Sequence, residues 1–277
     1  MSEDVKLNAY FERIGFAGSI APTLQTLEAL HALHAATIPF ENLNSILGLP
    51  VLLDQASLNQ KLLTDRRGGY CFEQNLMLLR VLRDLGFEAR GHLARVLWGR
   101  RDVEGLTTDH MLMTVDVGGA TYLADVGFGG LLLTTPLKLK TDIEQETPGT
   151  TYRLTGAEPT LRLEVKRDDH WWPAYEFDLA EVDDAGFEAR NRDLNADPEW
   201  FLHHHLLLEI CSPEGRRLLY DTRLTTTTLD AGIETHTLSS VPEMRDTLTS
   251  MFNMNLPTAE GLDAAFGRIL TRNLVSN

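Results

Sequence analysis

The chain has 277 residues, of which 43% are hydrophobic and 23% charged, a composition typical of a folded globular protein and not of a disordered one. Its formal net charge of −15 argues against nucleic acid or an anionic membrane surface as the main partner. The two cysteines, Cys71 and Cys211, are too few for a disulfide framework, which excludes the small disulfide-rich secreted class.

The first residues of the chain are polar. Residues 1–6 lack the apolar core of a signal peptide, and no window approaches the ~20 apolar residues that a membrane span requires. Together with the cysteine count, these features predict a cytoplasmic protein that contacts no membrane.

The first ninety residues are predicted to be mainly helical. Leucines recur at helical spacing, at Leu24, Leu27, Leu30 and Leu33, and Thr23 is placed to cap that helix. A second run of helical spacing contains Leu76, Leu79, Leu82 and Leu85. Gly86 follows it at the position where a C-terminal cap glycine belongs.

From about Gly91 the hydrophobic period changes to that of strands. Three strand-like runs cover residues 92–98, 111–117 and 120–126. Gly118-Gly119 between the last two predicts a two-residue hairpin turn. Further strand candidates cover residues 152–154, 161–166 and 171–177. The middle third is therefore predicted to form an antiparallel sheet or barrel.

A polar stretch at residues 193–198 predicts a boundary near residue 195. Beyond it lie strand candidates at residues 204–211, 217–224 and 232–238, a helix over 241–252 and a short terminal helix from about Ala259. Helices, then a β module, then a mixed end define the α+β class. The predicted parts are residues 1–90, 91–195 and 196–277.

Cys71 lies in the most distinctive stretch of the chain, residues 67–75, directly before the second helix. Two glycines, Gly68 and Gly69, allow a tight turn and a close approach of the backbone to a ligand. At a first helical turn, free N–H groups and the helix dipole lower a thiol pKa, and Arg66 and Arg67 add positive charge nearby. The alternative is that Cys71 is a small buried hydrophobe, as most free cysteines are.

A thiolate nucleophile needs a base, and the base needs an orienting group. If Gly118-Gly119 is the hairpin turn, Asp125 lies opposite Leu112, and His110 lies two residues further along on the same face. His110 and Asp125 can therefore meet through hairpin geometry, and a one-residue slip would separate them. The alternative is a structural polar pair at a strand end, but with Cys71 the set indicates a Cys-His-Asp catalytic group.

These segments resemble the arylamine N-acetyltransferase family in order and spacing. The resemblance is carried by residues 67–75, His110 and residues 125–129, with residues 39–43 and 94–96 resembling further family segments. It is specific within residues 1–130, weaker after Leu131 and loose after about residue 195, where three consecutive histidines depart from the usual family segment.

The resemblance implies a helical bundle carrying Cys71, a β-barrel carrying His110 and Asp125, and an α/β lid, with a cysteine-proteinase-like core. It implies a ping-pong cycle in which acetyl-CoA, the acyl donor co-substrate, acetylates Cys71 and an arylamine or hydrazine then takes the acetyl group. Oxyanion stabilisation by backbone N–H groups, including that of Cys71, is expected. No metal is implied, and the oligomeric state is left open between monomer and homodimer.

The resemblance also assigns binding residues. Phe40, Val96 and Phe128 match the acceptor pocket of the family and are apolar groups suited to a flat ring, although Phe40 is equally compatible with plain core packing. Gly127 and Gly129 belong to a glycine loop whose amides are expected to approach the CoA pyrophosphate, which offers a local anion site on a negatively charged molecule.

Other readings of the same residues remain open. The Cys-His-Asp set also fits a hydrolase of papain or transglutaminase type, an amide synthase of the same family, or a non-enzymatic binding module with a buried cysteine. The run from His203 to His205 is not predicted to hold a metal, because adjacent histidines in a strand point to opposite faces. Cys211 follows an apolar run and is predicted to lie in the core.

Overall fold

A computed structural model describes residues 4–100, 105–212, 214–228 and 230–275 of the chain. The helices that it describes are α1 (Leu7–Ile14), α2 (Leu24–Thr37), α3 (Leu43–Leu47), α4 (Gln55–Leu58), α5 (Cys71–Asp84), α6 (Asp184–Ala196), α7 (Phe201–His204), α8 (Val241–Ser250) and α9 (Leu262–Val275), with a π-helical segment at Asn59–Thr64. Within these described ranges, no helix is long and apolar enough to span a bilayer.

Both helices predicted from leucine spacing are confirmed. Helix α2 begins after Thr23, whose hydroxyl accepts a hydrogen bond from the Thr26 N–H at 3.3 Å. Helix α5 begins at Cys71 and ends before Gly86, which has the left-handed φ of 83° expected of a terminating glycine. Most of α5 is buried, so the element that carries the cysteine forms the centre of the N-terminal part.

The central strands form one eight-stranded antiparallel sheet. They are β2 (Glu88–Val96), β3 (His110–Val117), β4 (Ala120–Ala124), β5 (Leu137–Lys138), β6 (Gln145–Thr147), β7 (Thr150–Ala157), β8 (Thr160–Arg167) and β9 (His170–Asp178), in the order β5-β4-β3-β2-β9-β8-β7-β6. The Gln145 side chain bridges its two edges, accepting from the Lys138 N–H at 2.8 Å and donating to the Lys138 carbonyl at 2.9 Å. The sheet is thus a nearly closed barrel, and the predicted α+β class is confirmed.

The β3–β4 hairpin has the predicted register. Met113 pairs with Ala124 and Val117 with Ala120, which leaves Gly118 and Gly119 as the two-residue turn. Both glycines have positive φ, 61° and 77°, as the favoured hairpin turn requires. This register places the start of β3 beside the end of β4.

The C-terminal sheet includes a strand from the N-terminal part of the chain. Its order is β1-β10-β11-β12-β13, made of β1 (Phe40–Glu41), β10 (Leu207–Ser212), β11 (Gly215–Tyr220), β12 (Arg223–Thr228) and β13 (Gly232–Thr237). The single strand predicted over residues 217–224 is wrong, because a turn at Asp221, with φ of 53°, separates β11 from β12. The strand predicted from residue 204 begins only at Leu207, after the short helix α7.

Helix α6 was not predicted, since all of its residues but the last were assigned to the β module, residues 91–195. Its buried residues Phe187, Asn191 and Leu194 have helical spacing, and the Asp183 side chain caps it by accepting from the Gly186 N–H at 2.8 Å. Only two of those three residues are apolar, so the hydrophobic pattern is weak. The ring of Phe187 packs edge-on against Phe72 of α5, with ring centroids 6.3 Å apart.

Candidate active site

Cys71 is the first residue of α5 and is 4% exposed. The turn before it is pressed against the strand that follows Pro39: a Cβ atom on Gly68 would lie 1.9 Å from the Pro39 carbonyl oxygen. The Gly69 N–H donates to that carbonyl at 3.3 Å, and the Glu41 N–H donates to the Gly69 carbonyl at 2.9 Å. The glycine pair therefore permits a close backbone contact that fixes where the helix begins.

A buried ionic cluster lies beside this turn and was not found from the sequence. Arg67 binds Glu41 at 2.7 Å, and Lys61 binds Glu73 at 2.7 Å and Glu41 at 3.5 Å. Glu73 in turn accepts from the Tyr70 N–H at 2.9 Å. Burial raises the pKa of Glu41. The charges of Lys61 and Arg67 together lower it by more, so the net pKa is below its ordinary value. The positive charge predicted at Arg67 is thus paired with a carboxylate and not directed freely at Cys71.

The electrostatics of Cys71 differ from the sequence-based expectation. Burial raises the pKa of its thiol well above the ordinary value, the charges of Asp125 and Asp109 raise it further, and hydrogen bonds from the backbone of Met111 and Phe72 oppose this. The helix N-terminus was expected to lower the pKa of the Cys71 thiol. Burial outweighs this effect, because it removes the sulfur from water. An isolated thiolate is therefore unfavourable here, and deprotonation requires a base that takes the proton locally.

His110 and Asp125 form a buried hydrogen-bonded pair. The His110 Nε2 atom lies 2.7 Å from Asp125 Oδ2, and the two residues are 1% and 0% exposed. Burial raises the pKa of Asp125, but the charge and hydrogen bond of His110 lower it more, so the net pKa is below the ordinary value. An ionised Asp125 holds the proton on Nε2, which leaves Nδ1 of His110 as the nitrogen able to accept a proton.

The backbone on both sides of His110 contacts the cysteine sulfur. Cys71 Sγ lies 3.9 Å from the carbonyl oxygen of Asp109, and the backbone N–H of Met111 also bonds to Cys71. The fold therefore brings Cys71, His110 and Asp125 together from α5 and the β3–β4 hairpin. Such an arrangement can transfer a thiol proton to an imidazole oriented by a carboxylate.

Asn75 bonds to Asp125 and to the backbone next to His110, and it was not singled out from the sequence. Its Nδ2 donates to Asp125 Oδ1 at 2.9 Å and to the Met111 carbonyl at 2.6 Å, and its Oδ1 accepts from the Val126 N–H at 2.9 Å. The available signal was its position four residues after Cys71, on the same face of α5. It joins the cysteine-bearing helix to both strands of the hairpin.

Phe128 lies beside His110, and Val96 lies beside Tyr175 and Asp109. The Phe128 ring centroid is 5.0 Å from that of His110 and 5.0 Å from that of Tyr175, to which it is perpendicular. Val96 pairs with Tyr175 across β2 and β9, and its N–H donates to the Asp109 carboxylate at 2.8 Å. Tyr175, which sequence reasoning missed, thus completes an aromatic wall beside the histidine.

Phe40 packs against Gly129, and Gly127 packs against Cys71. A Cβ atom on Gly129 would lie 2.7 Å from the Phe40 ring, and one on Gly127 would lie 2.7 Å from the Cys71 Cα. The Gly127 N–H donates to Asp125 Oδ1 at 2.9 Å, and the Gly129 N–H donates to the Gly127 carbonyl at 3.2 Å. Close packing explains why glycine stands at both positions, while their role in cofactor binding stays a prediction.

The consecutive histidines serve separate local contacts. His203 and His204 lie in α7 and not in a strand, so the reason given for rejecting a metal site there was wrong. His204 Nε2 bonds to the Pro198 carbonyl at 2.7 Å, and His205 Nδ1 lies 2.8 Å from Asp221 Oδ2. Among the residues that the structure describes, no three His, Cys, Asp or Glu side chains form a group that could hold a metal ion.

Comparison with known proteins identifies the family. A family model described as N-acetyltransferase matches residues 23–261. The arylamine N-acetyltransferase of Escherichia coli strain K12 is 39% identical over 212 residues, which cover 76% of this chain and 75% of that protein. The arylamine N-acetyltransferase / N-hydroxyarylamine O-acetyltransferase of Salmonella typhimurium strain LT2 is 37% identical over 251 residues, covering 90% and 89%.

Solved structures agree with this assignment. The arylamine N-acetyltransferase structure from Salmonella typhimurium has a TM-score of 0.89 and 33% identity, and covers 98% of this chain and 100% of its own. That of the Mycobacterium marinum enzyme in complex with CoA has a TM-score of 0.90 and 31% identity, covering 95% and 99%. The fold and the family model define an acyltransferase. The chain belongs to the arylamine N-acetyltransferase family.

Proposed function

We propose that the protein transfers an acetyl group from acetyl-CoA to the nitrogen of an arylamine or hydrazine, through a thioester on Cys71. The observation that carries the proposal is the buried pair of His110 and Asp125, joined at 2.7 Å, beside a cysteine whose sulfur contacts the backbone on either side of the histidine. The catalytic residues of the proposal are Cys71, His110 and Asp125.

In the first half-reaction, Nδ1 of His110 takes the proton of the Cys71 thiol, and Asp125 stabilises the imidazolium that forms. Burial of Cys71 disfavours an isolated thiolate. In this local transfer the thiolate forms only beside the imidazolium cation, which stabilises it. The thiolate attacks the thioester carbonyl of acetyl-CoA, a new carbon–sulfur bond forms, and CoA leaves as the thiol after receiving the proton from His110.

In the second half-reaction, the acceptor nitrogen attacks the carbonyl of the Cys71 thioester. His110 takes a proton from the attacking nitrogen and returns it to the departing Cys71 sulfur, which regenerates the free thiol. The aromatic wall of Phe128 and Tyr175, 5.0 Å apart, supports a flat ring as the acceptor. Phe40 and Val96 are proposed to line the same pocket.

The choice of donor is supported by the relatives. The Mycobacterium marinum structure is of a complex with CoA, and its chain is covered almost completely. We expect Gly127 and Gly129 to lie where the CoA chain approaches Cys71, because both glycines are packed tightly around the cysteine and Phe40. The partners proposed are thus two small molecules, and the cytoplasmic location predicted from the sequence stays a prediction.

Initial rates of CoA release, measured while acetyl-CoA and 4-aminobenzoate are both varied, test the proposal. A covalent acetyl-enzyme predicts parallel lines in a double-reciprocal plot, because CoA leaves before the amine binds. Intersecting lines would contradict the thioester and indicate direct transfer. Cys71→Ala should abolish the activity, whereas Cys211→Ala, which alters a core cysteine that is 1% exposed, should retain the same pattern.

A further inference from the structure

A buried ion pair joins the C-terminal sheet to the loop that follows Asp125. Glu209 of β10 is 0% exposed, and its Oε1 lies 2.9 Å from Nη1 of Arg216, which stands on the neighbouring strand β11. Although burial lowers the pKa of Arg216, the charge of Glu209 outweighs this and raises that pKa above the ordinary value, so the guanidinium keeps its charge. The proposed mechanism makes no use of either residue.

The two side chains bind the loop backbone through both its N–H and its C=O groups. Glu209 Oε2 accepts from the Gly130 N–H at 2.5 Å and from the Leu132 N–H at 3.3 Å. Arg216 donates to the Leu132 carbonyl at 2.9 Å and to the Gly130 carbonyl at 3.4 Å. Four backbone groups of two alternate residues are therefore held by one ion pair.

The bound segment is short and carries Phe128. At its first end, the Gly127 N–H donates to Asp125 Oδ1 at 2.9 Å, and at its second end Leu132 is held by the ion pair. Glu209 also pairs directly with Phe40 across β10 and β1, and the Phe40 ring packs where a Cβ of Gly129 would stand. The C-terminal sheet thus contacts this loop from one side with both a carboxylate and an aromatic ring.

We infer that Glu209 and Arg216 are positioning residues that set the place of Phe128 and thereby the selectivity for aromatic acceptors. The inference rests on the proposed function, in which Phe128 forms one wall of the acceptor pocket. His110 keeps its own bond to Asp125 at 2.7 Å, so a displaced Phe128 alters recognition of the ring more than proton transfer. The C-terminal third acts on the reaction through the loop and without touching the reacting atoms.

Arg216→Lys and Glu209→Gln test this inference. Lysine keeps the charge but lacks the planar fork that reaches two carbonyls, and glutamine keeps the shape but loses the charge. We expect KM for 4-aminobenzoate to rise at least about tenfold, since misplacement by about 1 Å can cost up to about a hundredfold. Discharge of the acetyl-enzyme by hydrazine, which has no ring, should remain at the wild-type rate. Acetylation of Cys71 at saturating acetyl-CoA should fall by a smaller factor than the KM for 4-aminobenzoate rises.

Arg217→Lys is the matched control, because Arg217 is the next residue on β11, is exposed, and donates to the Met251 carbonyl at 3.3 Å. Arg217→Lys should leave the KM for 4-aminobenzoate and the rates of acetylation and of discharge by hydrazine unchanged. Equal losses with aminobenzoate, hydrazine and acetyl-CoA in the Arg216 and Glu209 variants would overturn the inference in favour of a general structural role. Wild-type rates in both variants would also overturn it.

Amide hydrogen exchange of residues 127–133 gives a second readout that requires no catalysis. We expect faster exchange there in Arg216→Lys and Glu209→Gln than in the wild type and in Arg217→Lys. In both variants the hydrogen bonds from the Gly130 and Leu132 N–H groups to the side chain at position 209 are weakened. Unchanged exchange would contradict the inference. If the wild type released no CoA, the proposed function would fail. Amide hydrogen exchange, together with titration of aniline binding to the wild type and the variants, would still decide whether Glu209 and Arg216 position Phe128.

Discussion

At the scale of single residues, the central feature is a cysteine whose environment opposes the thiolate. Burial and the nearby carboxylates of Asp125 and Asp109 raise the pKa of Cys71. The same burial strengthens the interaction of any ion pair that forms within the site. In the proposed mechanism, a thiolate–imidazolium pair with His110 is therefore favoured over free ionisation, and Asp125 stabilises the cation.

Asp125→Asn should lower kcat/KM by about a thousandfold or more, as the loss of an orienting carboxylate does in related triads. The amide cannot both accept from His110 Nε2 and replace the charge that stabilises the imidazolium. Steady-state rates and the rate of Cys71 alkylation by iodoacetamide measure the effect. Asp116→Asn, at the far end of the same hairpin, should keep wild-type rates, and equal rates in both variants would remove Asp125 from the mechanism.

Asn75→Ala should lower the free energy of unfolding by about 2–4 kcal/mol, because the side chain makes three buried hydrogen bonds and its partners would be left unsatisfied. Urea denaturation measures the change. Asn255→Ala removes one exposed hydrogen bond, to the Asp65 carbonyl, and should cost less than about 1 kcal/mol. A similar small cost at Asn75 would show that it does not connect α5 to the hairpin as its contacts indicate.

At the scale of elements, the close approach of two backbone segments determines where α5 begins. Gly68→Ala would place a Cβ atom 1.9 Å from the Pro39 carbonyl oxygen, so the turn before Cys71 must move. We expect a loss of about 1–3 kcal/mol in stability, the usual cost of overpacking, together with a loss of activity. Thermal unfolding and CoA release measure the two effects.

Gly267→Ala provides the contrast, since a Cβ atom there meets no heavy atom within 4 Å and the residue lies inside α9. Alanine in a helix is favoured over glycine by about 0.5–1 kcal/mol, so this variant should be slightly more stable and fully active. If Gly68→Ala behaved like Gly267→Ala, the contact with Pro39 would not fix the start of the helix.

The elements also show how far the sequence could predict the fold. The Gly118-Gly119 turn and the alternation on either side predicted the β3–β4 register correctly, because a two-residue turn leaves one pairing for the strands. Helix α6 was missed because it buries only Phe187, Asn191 and Leu194, and one of these is polar. The strand β1 was missed because it has two residues and pairs with β10, far along the chain.

In the site, as in the fold, contacts within one local segment were predictable from the sequence, and contacts between distant segments were not. The contact of His110 with Asp125 follows from local hairpin geometry, and it is confirmed. Contacts between distant segments were not predictable: Glu41 with Arg67 beside the helix start, and Glu209 with the loop at Gly130. The raised pKa of Cys71 also follows from burial, which the tertiary structure alone determines.

At the scale of the whole molecule, two buried neutral histidines make stability depend on pH. Burial lowers the pKa of His31 to about 4 and that of His34 to about 3. His34 accepts from the Tyr10 hydroxyl at 2.9 Å and donates to Gln74 at 2.7 Å, which requires the neutral ring. As pH falls below about 6.5, the unfolded chain binds protons that the folded chain does not.

Stability should therefore be complete above about pH 6.5 and fall progressively towards pH 4, by up to about 1.4 kcal/mol per pH unit for each histidine. Urea denaturation at several pH values measures the slope. His34→Gln should lower the slope of the unfolding free energy against pH by up to about one proton, about 1.4 kcal/mol per pH unit. His170→Gln, at the exposed first position of β9, is the control and should match the wild type. An unchanged slope in His34→Gln would contradict the role of that histidine.

In the proposed cycle, Cys71 carries the acetyl group. The most direct measurement is the intact mass of the protein after incubation with acetyl-CoA alone, then after addition of 4-aminobenzoate, with peptide mapping of the modified residue. We predict one added acetyl group on Cys71 that disappears when the amine is added. An unmodified Cys71 while acetylated amine still accumulates, or an acetyl group that the amine does not remove, would contradict a thioester on Cys71.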